Sequence, residues 1–302
     1  MTLNTPIPSD LRRWVTTRLP GAEVDNAEDV SWDRGDSRVW RVPAPDGGAF
    51  VKLSPSAKDY EREIAGYAYA ARVLTPYEAP RLLASDPHLQ ALMSSPLPGC
   101  VVRGLPLEPD IERHVHELAG RVLRRWHDYS EPASPHDIEA VRVSMMGQAD
   151  EAAACLDSAA VHLDDAQRAL VRSVSEELPA LAADLPVVYQ HGDYSTRNWL
   201  WAPESDHRHG HGHGLIDFAM AKHGPAVEEF VWLCGAVWAV RPDLKAAYLA
   251  GYGRALSETE ERFLRLLTTR LGVSYLNTGL TKERPYLIDR GKLILSRMRD
   301  YQ

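Results

Sequence analysis

The stretch VVYQHGDYSTRNWLWAPESDHRHGHGHGLIDFAMA, residues 187–221, decides how the rest of the chain is interpreted. Its two apolar runs, residues 199–202 and 214–218, predict short strands joined by a polar loop that contains glycines. In an antiparallel hairpin the start of the first strand lies beside the end of the second strand. The hairpin therefore places the amide oxygen of Asn198 next to the carboxylate of Asp217.

A turn just before this hairpin adds a second carboxylate, Asp193, which follows His191 and Gly192. Carboxylate and amide oxygens are hard ligands that suit Mg2+, which proteins commonly hold with one or two carboxylates and the phosphates of a substrate. Such a cluster is typical of phosphoryl transfer. The simpler alternative is a solvated turn in which the Asp and Asn side chains only satisfy backbone groups.

The pattern H-G-D-x-x-x-x-N at residues 191–198, followed by I-D-F at residues 216–218, resembles the aminoglycoside phosphotransferase family. This family is a branch of the protein-kinase-like fold. The resemblance implies an α+β, bilobal architecture with a five-stranded antiparallel N-lobe and a mainly helical C-lobe. It also implies that the chain is an enzyme, a phosphotransferase with an alcohol group as acceptor.

The resemblance assigns a role to each polar residue of this segment. It implies that Asp193 takes the proton of the acceptor hydroxyl and that His191 braces the catalytic turn. Asn198 and Asp217 would hold the Mg2+ ion that bridges the phosphates of ATP or GTP. Arg197 departs from the family's pattern, in which a small residue often precedes the Asn. It either adds positive charge near the transferred phosphate or pairs with a neighbouring acid.

The pattern of residues 1–93 predicts a small antiparallel sheet with helices, and the resemblance implies that this segment is the nucleotide-binding lobe. A first helix is expected at residues 9–19, with Ser9 or Asp10 as its cap, and a second at residues 58–74. The strands are expected at residues 30–33, 38–42, 49–53, 79–84 and 89–94.

Lys52 lies between apolar residues on the third predicted strand, and Glu63 borders the inner face of the second helix. In kinases a lysine on the third strand pairs with a glutamate on the following helix and contacts the nucleotide phosphates. By this resemblance we expect a pair between Lys52 and Glu63, with Glu61 as the rival partner. Without the helix, Lys52 would more simply be a charge on an edge strand.

Two further segments of the first lobe are implicated by the resemblance alone. Gly35, Asp36 and Ser37 occupy the place of the phosphate-covering loop of the kinase-like fold, although the segment lacks a G-x-G-x-x-G pattern and would also serve as a plain hairpin turn.

Two prolines and a glycine predict a hinge at residues 94–99. In relatives the backbone at this hinge holds the adenine ring, which implicates Met93, Ser94, Ser95 and Leu97 as neighbours of the nucleotide.

Residues 100–302 are predicted to form a helical C-terminal lobe with the catalytic loop and the acceptor site. Glu228 and Glu229 are expected in the first turn of a helix, where acidic residues favour the helix dipole, and are interpreted as structural. Helices are expected at residues 111–126, 137–158, 164–183, 225–240, 242–255, 258–269 and 285–298.

The distribution of charged residues in this lobe bears on the charge of the acceptor molecule. Residues 131–184 contain eleven acidic residues against three arginines. Acidic helices are often only solvated, but acids that line a cleft attract a cationic substrate. We therefore expect a positively charged acceptor, and the resemblance implies that it is of antibiotic type, such as an aminoglycoside or a basic peptide antibiotic. The alternative is a kinase of a small metabolite such as an amino alcohol or a sugar.

Net charge and composition bear on which partners the protein binds and on its compartment. The net charge of −8 argues against nucleic acid as a partner, because phosphate binding needs a basic surface. No apolar run is long enough to span a bilayer, and no secretory signal is apparent, so no membrane partner is expected. The three cysteines, Cys100, Cys155 and Cys234, indicate reduced thiols in a cytoplasmic protein.

The histidine-rich segment 207–213 raises a hypothesis from another class, a metal-binding protein or a metallohydrolase. Four strand residues at about 3.3 Å each would place this loop roughly 13 Å from Asn198 and Asp217, so a variable surface turn is the better interpretation. A nucleotide-binding protein without turnover has no support, because no catalytic position is missing. A protein kinase is disfavoured, because Asp217 and Phe218 are followed by alanine rather than glycine.

Overall fold

The computed structural model of the protein describes residues 5–31, 37–203 and 212–301. Residue contacts divide the chain into two compact units. The first unit comprises Met1–Leu105 and Thr196–Ala221, and the second comprises Pro106–Ser195 and Lys222–Gln302.

These units differ from the predicted lobes, whose boundaries lie at residues 93 and 100. Cys100–Val101 pairs with Trp199–Trp201, and this pairing ties the hairpin at residues 199–215 to the first unit. Strand pairing therefore places the hairpin in the first compact unit. The division of the chain into a nucleotide-binding lobe and a lobe with the acceptor site stays a prediction.

The first unit contains the expected antiparallel sheet, which has five strands within the described residues in the order β1-β2-β3-β5-β4. The second and third strands have the predicted bounds. The strands are β1, Glu28–Asp29; β2, Arg38–Val42; β3, Ala49–Leu53; β4, Leu82–Asp86; and β5, Ala91–Ser94.

The first strand is predicted at residues 30–33 but lies at Glu28–Asp29, so the prediction is wrong for residues 30 and 31. Residues 32 and 33 lie outside the described part of the chain. The strand β1 ends at Asp29 because the backbone N–H of Val39 is bound by the side-chain oxygen of Ser31, at 2.9 Å, instead of by a strand carbonyl. A side chain that competes for ladder hydrogen bonds in this way ends the regular pairing.

Two helices accompany the sheet. The helix α1, Ser9–Arg18, buries Leu11, Trp14 and Val15, and its N-cap is Pro8 without a side-chain cap, so the predicted cap at Ser9 or Asp10 is wrong. The helix α2, Ala57–Val73, begins with Ser56, whose side chain accepts a hydrogen bond from the N–H of Asp59. One apolar cluster is formed by Ile7, Leu11, Trp14, Val15, Val24, Trp40, Val42, Ala49, Val51, Ala91 and Met93.

The predicted hairpin is present in the first unit. β6, Cys100–Val101, pairs with β8, Trp199–Trp201, which in turn pairs with β9, His213–Leu215. The second hairpin strand ends three residues earlier than predicted, because Asp217 adopts a left-handed backbone conformation with φ of +68° that a strand does not accommodate.

The second unit is mainly helical, and its two strands, β7 at Val187–Gln190 and β10 at Lys222–Pro225, form an antiparallel ribbon. A short irregular helical segment follows at residues 226–238 and includes α6, Val231–Leu233. The other helices are α3, Pro109–Asp128; α4, Pro135–Ala159; α5, Asp165–Ala183; α7, Pro242–Tyr252; α8, Glu258–Thr281; and α9, Pro285–Asp300.

The helix α8 continues twelve residues beyond its predicted end at residue 269. Its two glycines, Gly272 and Gly279, do not break it, because each allows a close approach of α9. An added Cβ at Gly279 would lie 2.6 Å from the backbone nitrogen of Ile288. Packing against a neighbouring helix therefore outweighs the low helix propensity of glycine.

None of the described helices is long and apolar enough to cross a membrane.

The crossing of α3 and α7 gives a test of the fold. An added Cβ at Gly120 would lie 2.1 Å from the carbonyl oxygen of Tyr248, so Gly120→Ala should lower the free energy of unfolding by about 1–3 kcal/mol. Gly147 in α4 is the matched control, because an added Cβ there meets no heavy atom within 4 Å. Gly147→Ala should raise stability by about 0.5–1 kcal/mol. Urea denaturation of both variants checks this, and equal effects would contradict the described crossing.

Candidate active site

Lys52 lies at the centre of a buried ionic cluster in the first unit. Its ammonium nitrogen is 2.9 Å from Oε1 of Glu63 and 2.9 Å from Oδ1 of Asp217. The side chain of Glu63 is 1% exposed and that of Asp217 is 39% exposed, so the cluster reaches from the interior of the unit to its surface. The contact expected between Lys52 and Glu63 is present, and Glu63 lies on the buried face of α2 rather than at its border.

Burial and charge act in opposite directions on this cluster. Burial alone lowers the pKa of Lys52, but the nearby carboxylates of Asp217 and Glu63 outweigh it, and the pKa of Lys52 is raised above its ordinary value. Burial raises the pKa of Glu63, and the Lys52 ammonium opposes this effect. The lysine is therefore held in its charged form.

The position of Asp217 is fixed by its own backbone conformation and by the packing of the next residue, Phe218, against α2. The backbone of Asp217 is in the left-handed region, which Asp tolerates better than most residues. The ring of the next residue, Phe218, packs edge-on against Tyr67 of α2, with ring centroids 5.0 Å apart. Gly66 makes this approach possible, because an added Cβ there would lie 2.5 Å from Cβ of Phe218. Sequence reasoning missed this contact, and the only signal was a glycine within a predicted helix.

Asn198 is brought to Asp217 by the hairpin. The backbone N–H of Ile216 donates to the carbonyl oxygen of Asn198 at 3.0 Å, which continues the β8–β9 pairing by one residue. Asn198, Asp217, Lys52 and Glu63 all line one cavity of about 370 Å3 in the first unit. The predicted juxtaposition of Asn198 and Asp217 is therefore present.

The other residues expected around the nucleotide divide into three groups. Ser37, Ser94, Ser95 and Leu97 line the cavity. Met93 does not, because alternate residues of β5 face opposite sides and its side chain packs in the apolar cluster with Trp40 and Val51. A contact through its main chain stays a prediction.

Gly35 and Asp36 lie outside the described residues, so their expected contact with phosphates stays a prediction too.

Arg197 also lines the cavity, directly before Asn198 in the chain. Among the described lining residues, the charged side chains are then two cations, Lys52 and Arg197, and two carboxylates, Glu63 and Asp217. Lys52 contacts both carboxylates but offsets only one of their two negative charges. The positive charge of Arg197 therefore brings the formal charge of the lining to zero.

The turn that carries Asp193 belongs to the second unit and begins where β7 ends. Gly192 has φ of +82°, a conformation that glycine adopts at little cost. The backbone N–H of Asp193 donates to Nδ1 of His191 at 3.3 Å, and the His191 ring is fully buried. Tyr194 fixes the other side of the turn by donating its hydroxyl to the carbonyl oxygen of Ala119 at 2.7 Å. His191 thus lies where it can brace the turn.

Glu229 contributes a contact that the sequence interpretation missed. Its carboxylate is buried and accepts hydrogen bonds from the backbone N–H groups of His191, at 2.5 Å, and Gly192, at 3.1 Å. Glu229 does lie in the first turn of a short helix, as expected, but it anchors the turn before Asp193 rather than only favouring a dipole. No single-sequence pattern links residues this far apart.

Most acids of segment 131–184 have cationic or capping partners within the second unit. Glu151 pairs with Arg270, Glu177 pairs with Arg262, and Asp164 caps α5 and pairs with Arg299. Asp150 and Asp157 are exposed. Three acids of the segment are therefore paired with arginines that lie later in the chain.

The donor set at Asn198 and Asp217 fits a magnesium ion. One amide oxygen and one carboxylate are hard ligands, and both residues line a cavity that leaves room for phosphate and water ligands. Among residues 5–31, 37–203 and 212–301, no group of three or more His, Cys, Asp or Glu side chains could hold a metal ion by itself. The histidine-rich hypothesis falls mainly on residues 207–211, which lie outside the described residues; His213 is buried beside the ring of Trp199.

Comparison with known proteins decides the family. A sequence profile described as the phosphotransferase enzyme family matches residues 27–267, a range that includes every candidate residue discussed above. The chain belongs to this family. The predicted resemblance and the predicted enzyme class, a phosphotransferase acting on a hydroxyl group, are confirmed. No curated protein matches the chain in sequence.

Solved structures confirm the kinase-like α+β fold expected for this family. The GDP and kanamycin complex of APH(2″)-IIia has a TM-score of 0.67 at 15% identity, covering 97% of this chain and 99% of that chain. The GDP complex of wild-type aminoglycoside 2′-phosphotransferase-IIIa has a TM-score of 0.68 at 14% identity, with coverages of 97% and 99%. A choline/ethanolamine kinase family protein from Mesorhizobium loti has a TM-score of 0.63 at 17% identity, with coverages of 97% and 94%.

The Glu229 anchor gives a stability test that does not depend on activity. Glu229→Ala removes the acceptor of two backbone N–H groups, and each buried group left unsatisfied costs about 1–3 kcal/mol. The free energy of unfolding should therefore fall by about 2–4 kcal/mol in chemical denaturation. Asp150→Ala, an exposed acid of the same unit, should change it by less than about 0.5 kcal/mol. A Glu229→Ala variant as stable as the Asp150→Ala variant would contradict a stabilising role for the Glu229 carboxylate.

Proposed function

We propose that the protein transfers the γ-phosphate of ATP or GTP to a hydroxyl group of a cationic, antibiotic-type small molecule. The observation that carries this proposal is the placement of Lys52, between Glu63 and Asp217, in the same cavity as Asn198. A lysine paired with a glutamate, beside a carboxylate and an amide, is the set of groups that positions nucleotide phosphates in kinase-like enzymes.

The donor side of the reaction uses the first unit. Lys52 contacts the phosphates and Glu63 keeps the lysine in place. Asn198 and Asp217 would hold Mg2+, which would supply positive charge to neutralise the β- and γ-phosphates. Support for a nucleotide donor comes from similar structures solved with GDP and, for APH(2″)-IIa, with ATP and streptomycin.

The acceptor side uses Asp193. Its carboxylate takes the proton of the acceptor hydroxyl, while the hydroxyl oxygen forms a bond to the γ-phosphorus and the bond to the nucleoside diphosphate breaks. The products are a phosphate ester, ADP or GDP, and a proton. The anchors at His191, Tyr194 and Glu229 support this role, because a general base must be held in a fixed position relative to the hydroxyl.

Arg197 supplies the additional positive charge that a triphosphate requires. Lys52 already lies against two carboxylates, so without Arg197 the described lining of the cavity would carry a net negative charge and would repel phosphate. On this charge balance we assign Arg197 to the nucleotide phosphates.

The cationic nature of the acceptor is supported by two observations. The chain carries a net charge of −8, and residues 131–184 contain the same excess of acids, of which Asp150 and Asp157 are exposed and Glu151, Asp164 and Glu177 pair with arginines later in the chain. Several structures of similar fold were solved with kanamycin, gentamicin or streptomycin.

The role of Asp193 is tested by Asp193→Asn, which keeps the shape of the side chain and removes its basicity. Turnover should fall about a hundredfold or more, because proton transfer by a positioned base contributes about that much. Nucleotide affinity and the unfolding midpoint should stay unchanged. A coupled assay of nucleoside diphosphate release measures turnover, and a near-normal rate would refute the assignment.

The role of Arg197 is tested by Arg197→Gln, with Arg197→Lys as the variant that keeps the charge. The Kd of a nucleoside triphosphate should rise about tenfold in Arg197→Gln, the loss expected for one charge-assisted contact, and less in Arg197→Lys. Arg18→Gln, at the exposed end of α1, removes the same charge from the first unit and should leave the Kd unchanged. An unchanged Kd in Arg197→Gln would place the guanidinium away from the phosphates.

A further inference from the structure

The C-terminal end of α3 contacts the strand that leads into the turn before Asp193. The indole N–H of Trp126 donates to the carbonyl oxygen of Tyr189 at 2.9 Å, and the N–H of Tyr189 donates to the hydroxyl oxygen of Ser130 at 2.8 Å. The Trp126 ring also lies edge-on to that of His191, with ring centroids 6.1 Å apart. All of these residues belong to the second unit. The end of α3 therefore holds Tyr189 by both its N–H and its carbonyl group.

His127, the next residue after Trp126, has one ring nitrogen that is bonded and one that is not. Its Nδ1 lies 2.8 Å from the hydroxyl oxygen of Tyr252 in α7. Its Nε2 is buried and has no hydrogen-bond partner within the described part of the chain. This Nε2 lies 3.8 Å from Oε1 of Glu229, and the side chains of His127 and Glu229 are 4% and 0% exposed. An unbonded nitrogen in the protein interior costs free energy, so its position facing a carboxylate needs a physical explanation.

The oxygen of Glu229 that faces His127 also binds the turn. Oε1 accepts a hydrogen bond from the N–H of His191 at 2.5 Å, and Oε2 accepts one from the N–H of Gly192 at 3.1 Å. Asp193 follows Gly192 directly in the chain. A displacement of the Glu229 carboxylate would therefore displace the backbone that carries Asp193.

The charge of Glu229 selects the ring nitrogen of His127 that carries the proton. A carboxylate attracts an N–H group and repels a lone pair, so it favours the tautomer with hydrogen on Nε2. Nδ1 is then an acceptor, to which the Tyr252 hydroxyl donates. Burial raises the pKa of Tyr252 to about 12, so this hydroxyl keeps its proton at neutral pH. The donors thus point in one direction, from Tyr252 through His127 to Glu229.

We propose that His127 is a positioning residue for phosphoryl transfer, because it directs its Nε2–H at the Glu229 carboxylate that holds the turn before Asp193. This inference rests on the proposed function, in which Asp193 is the general base. Attraction between Nε2–H and Oε1 keeps the carboxylate on the turn, and Tyr252 fixes the imidazole in the required orientation. His127 acts through Glu229 and not on a substrate, so its loss lowers the rate of transfer and leaves nucleotide affinity unchanged.

The tautomer is tested in the wild-type protein by NMR of 15N-labelled histidines. The signals of His127, identified by their loss in His127→Gln, should show a proton on Nε2 near neutral pH. An unprotonated Nε2 would turn a lone pair toward the Glu229 carboxylate and would overturn the inference.

Two substitutions at position 127 separate the roles of the two ring nitrogens. The amide nitrogen of His127→Gln can take the place of Nε2, whereas the shorter side chain of His127→Asn reaches only the place of Nδ1. In His127→Asn the N–H groups of His191 and Gly192 should exchange with solvent about tenfold faster, relative to amides of α8 that report global unfolding. In His127→Gln their exchange should return toward the wild-type rate.

Kinetics should show the same division between the two variants, with kanamycin as the acceptor probe. In His127→Asn kcat should fall about tenfold or more while the Kd of the nucleotide stays unchanged, because a small displacement of a catalytic group is costly. His127→Gln should recover most of kcat. The matched control is His116→Gln, which replaces another buried histidine of α3, near Arg241, and should change neither kcat nor the exchange at the turn selectively.

The outcomes separate this inference from the proposed function. Equal exchange at the turn and equal kcat in His127→Asn and His127→Gln would overturn the positioning role, because a packing role does not distinguish the two amides. The exchange measurements need no acceptor, so they decide the contact of His127 with Glu229 whether or not kanamycin is phosphorylated. If exchange follows the prediction while Asp193→Asn transfers phosphate at a near-normal rate, that contact stands and the proposed role of Asp193 fails.

Discussion

The ammonium group of Lys52 lies 2.9 Å from carboxylates of both Glu63 and Asp217, and the arrangement of the first unit depends on this contact. A buried charge is tolerated only when it is paired, and leaving one partner unpaired costs several kcal/mol. β3 must therefore present Lys52 toward α2, and the hairpin must deliver Asp217 to the same place. The close packing of Phe218 on Gly66 holds the neighbouring Asp217 beside Lys52.

In the second unit, the turn that carries Asp193 has no regular secondary structure and must be held in place by other contacts. Two backbone N–H groups of the turn, those of His191 and Gly192, donate to the buried carboxylate of Glu229. The side chains of His191 and Tyr194 also form hydrogen bonds that fix the turn. The adjacent Glu228 faces a cavity instead. Two consecutive acids of one short helix thus contact different parts of the second unit.

The parts of the site that sequence predicted are those governed by local pattern. Hairpin register predicted that Asn198 lies beside Asp217, and the resemblance to kinases implied the pairing of Lys52 with Glu63. The parts that it missed depend on distant packing. Glu229 reaches a turn 37 residues earlier in the chain, α8 continues past its glycines because α9 packs on them, and the left-handed Asp217 ends its strand early.

The central proposal is that Asp217, beside Lys52 and Asn198, would supply the carboxylate that holds Mg2+ when nucleotide binds. The most direct measurement is the Kd of a non-hydrolysable ATP or GTP analogue, with and without Mg2+, for the wild type and for Asp217→Asn. Mg2+ should tighten binding to the wild type and have little effect on the variant, whose side chain lacks the charge that holds the ion. An Asp217→Asn protein that keeps the full effect of Mg2+ would contradict the account.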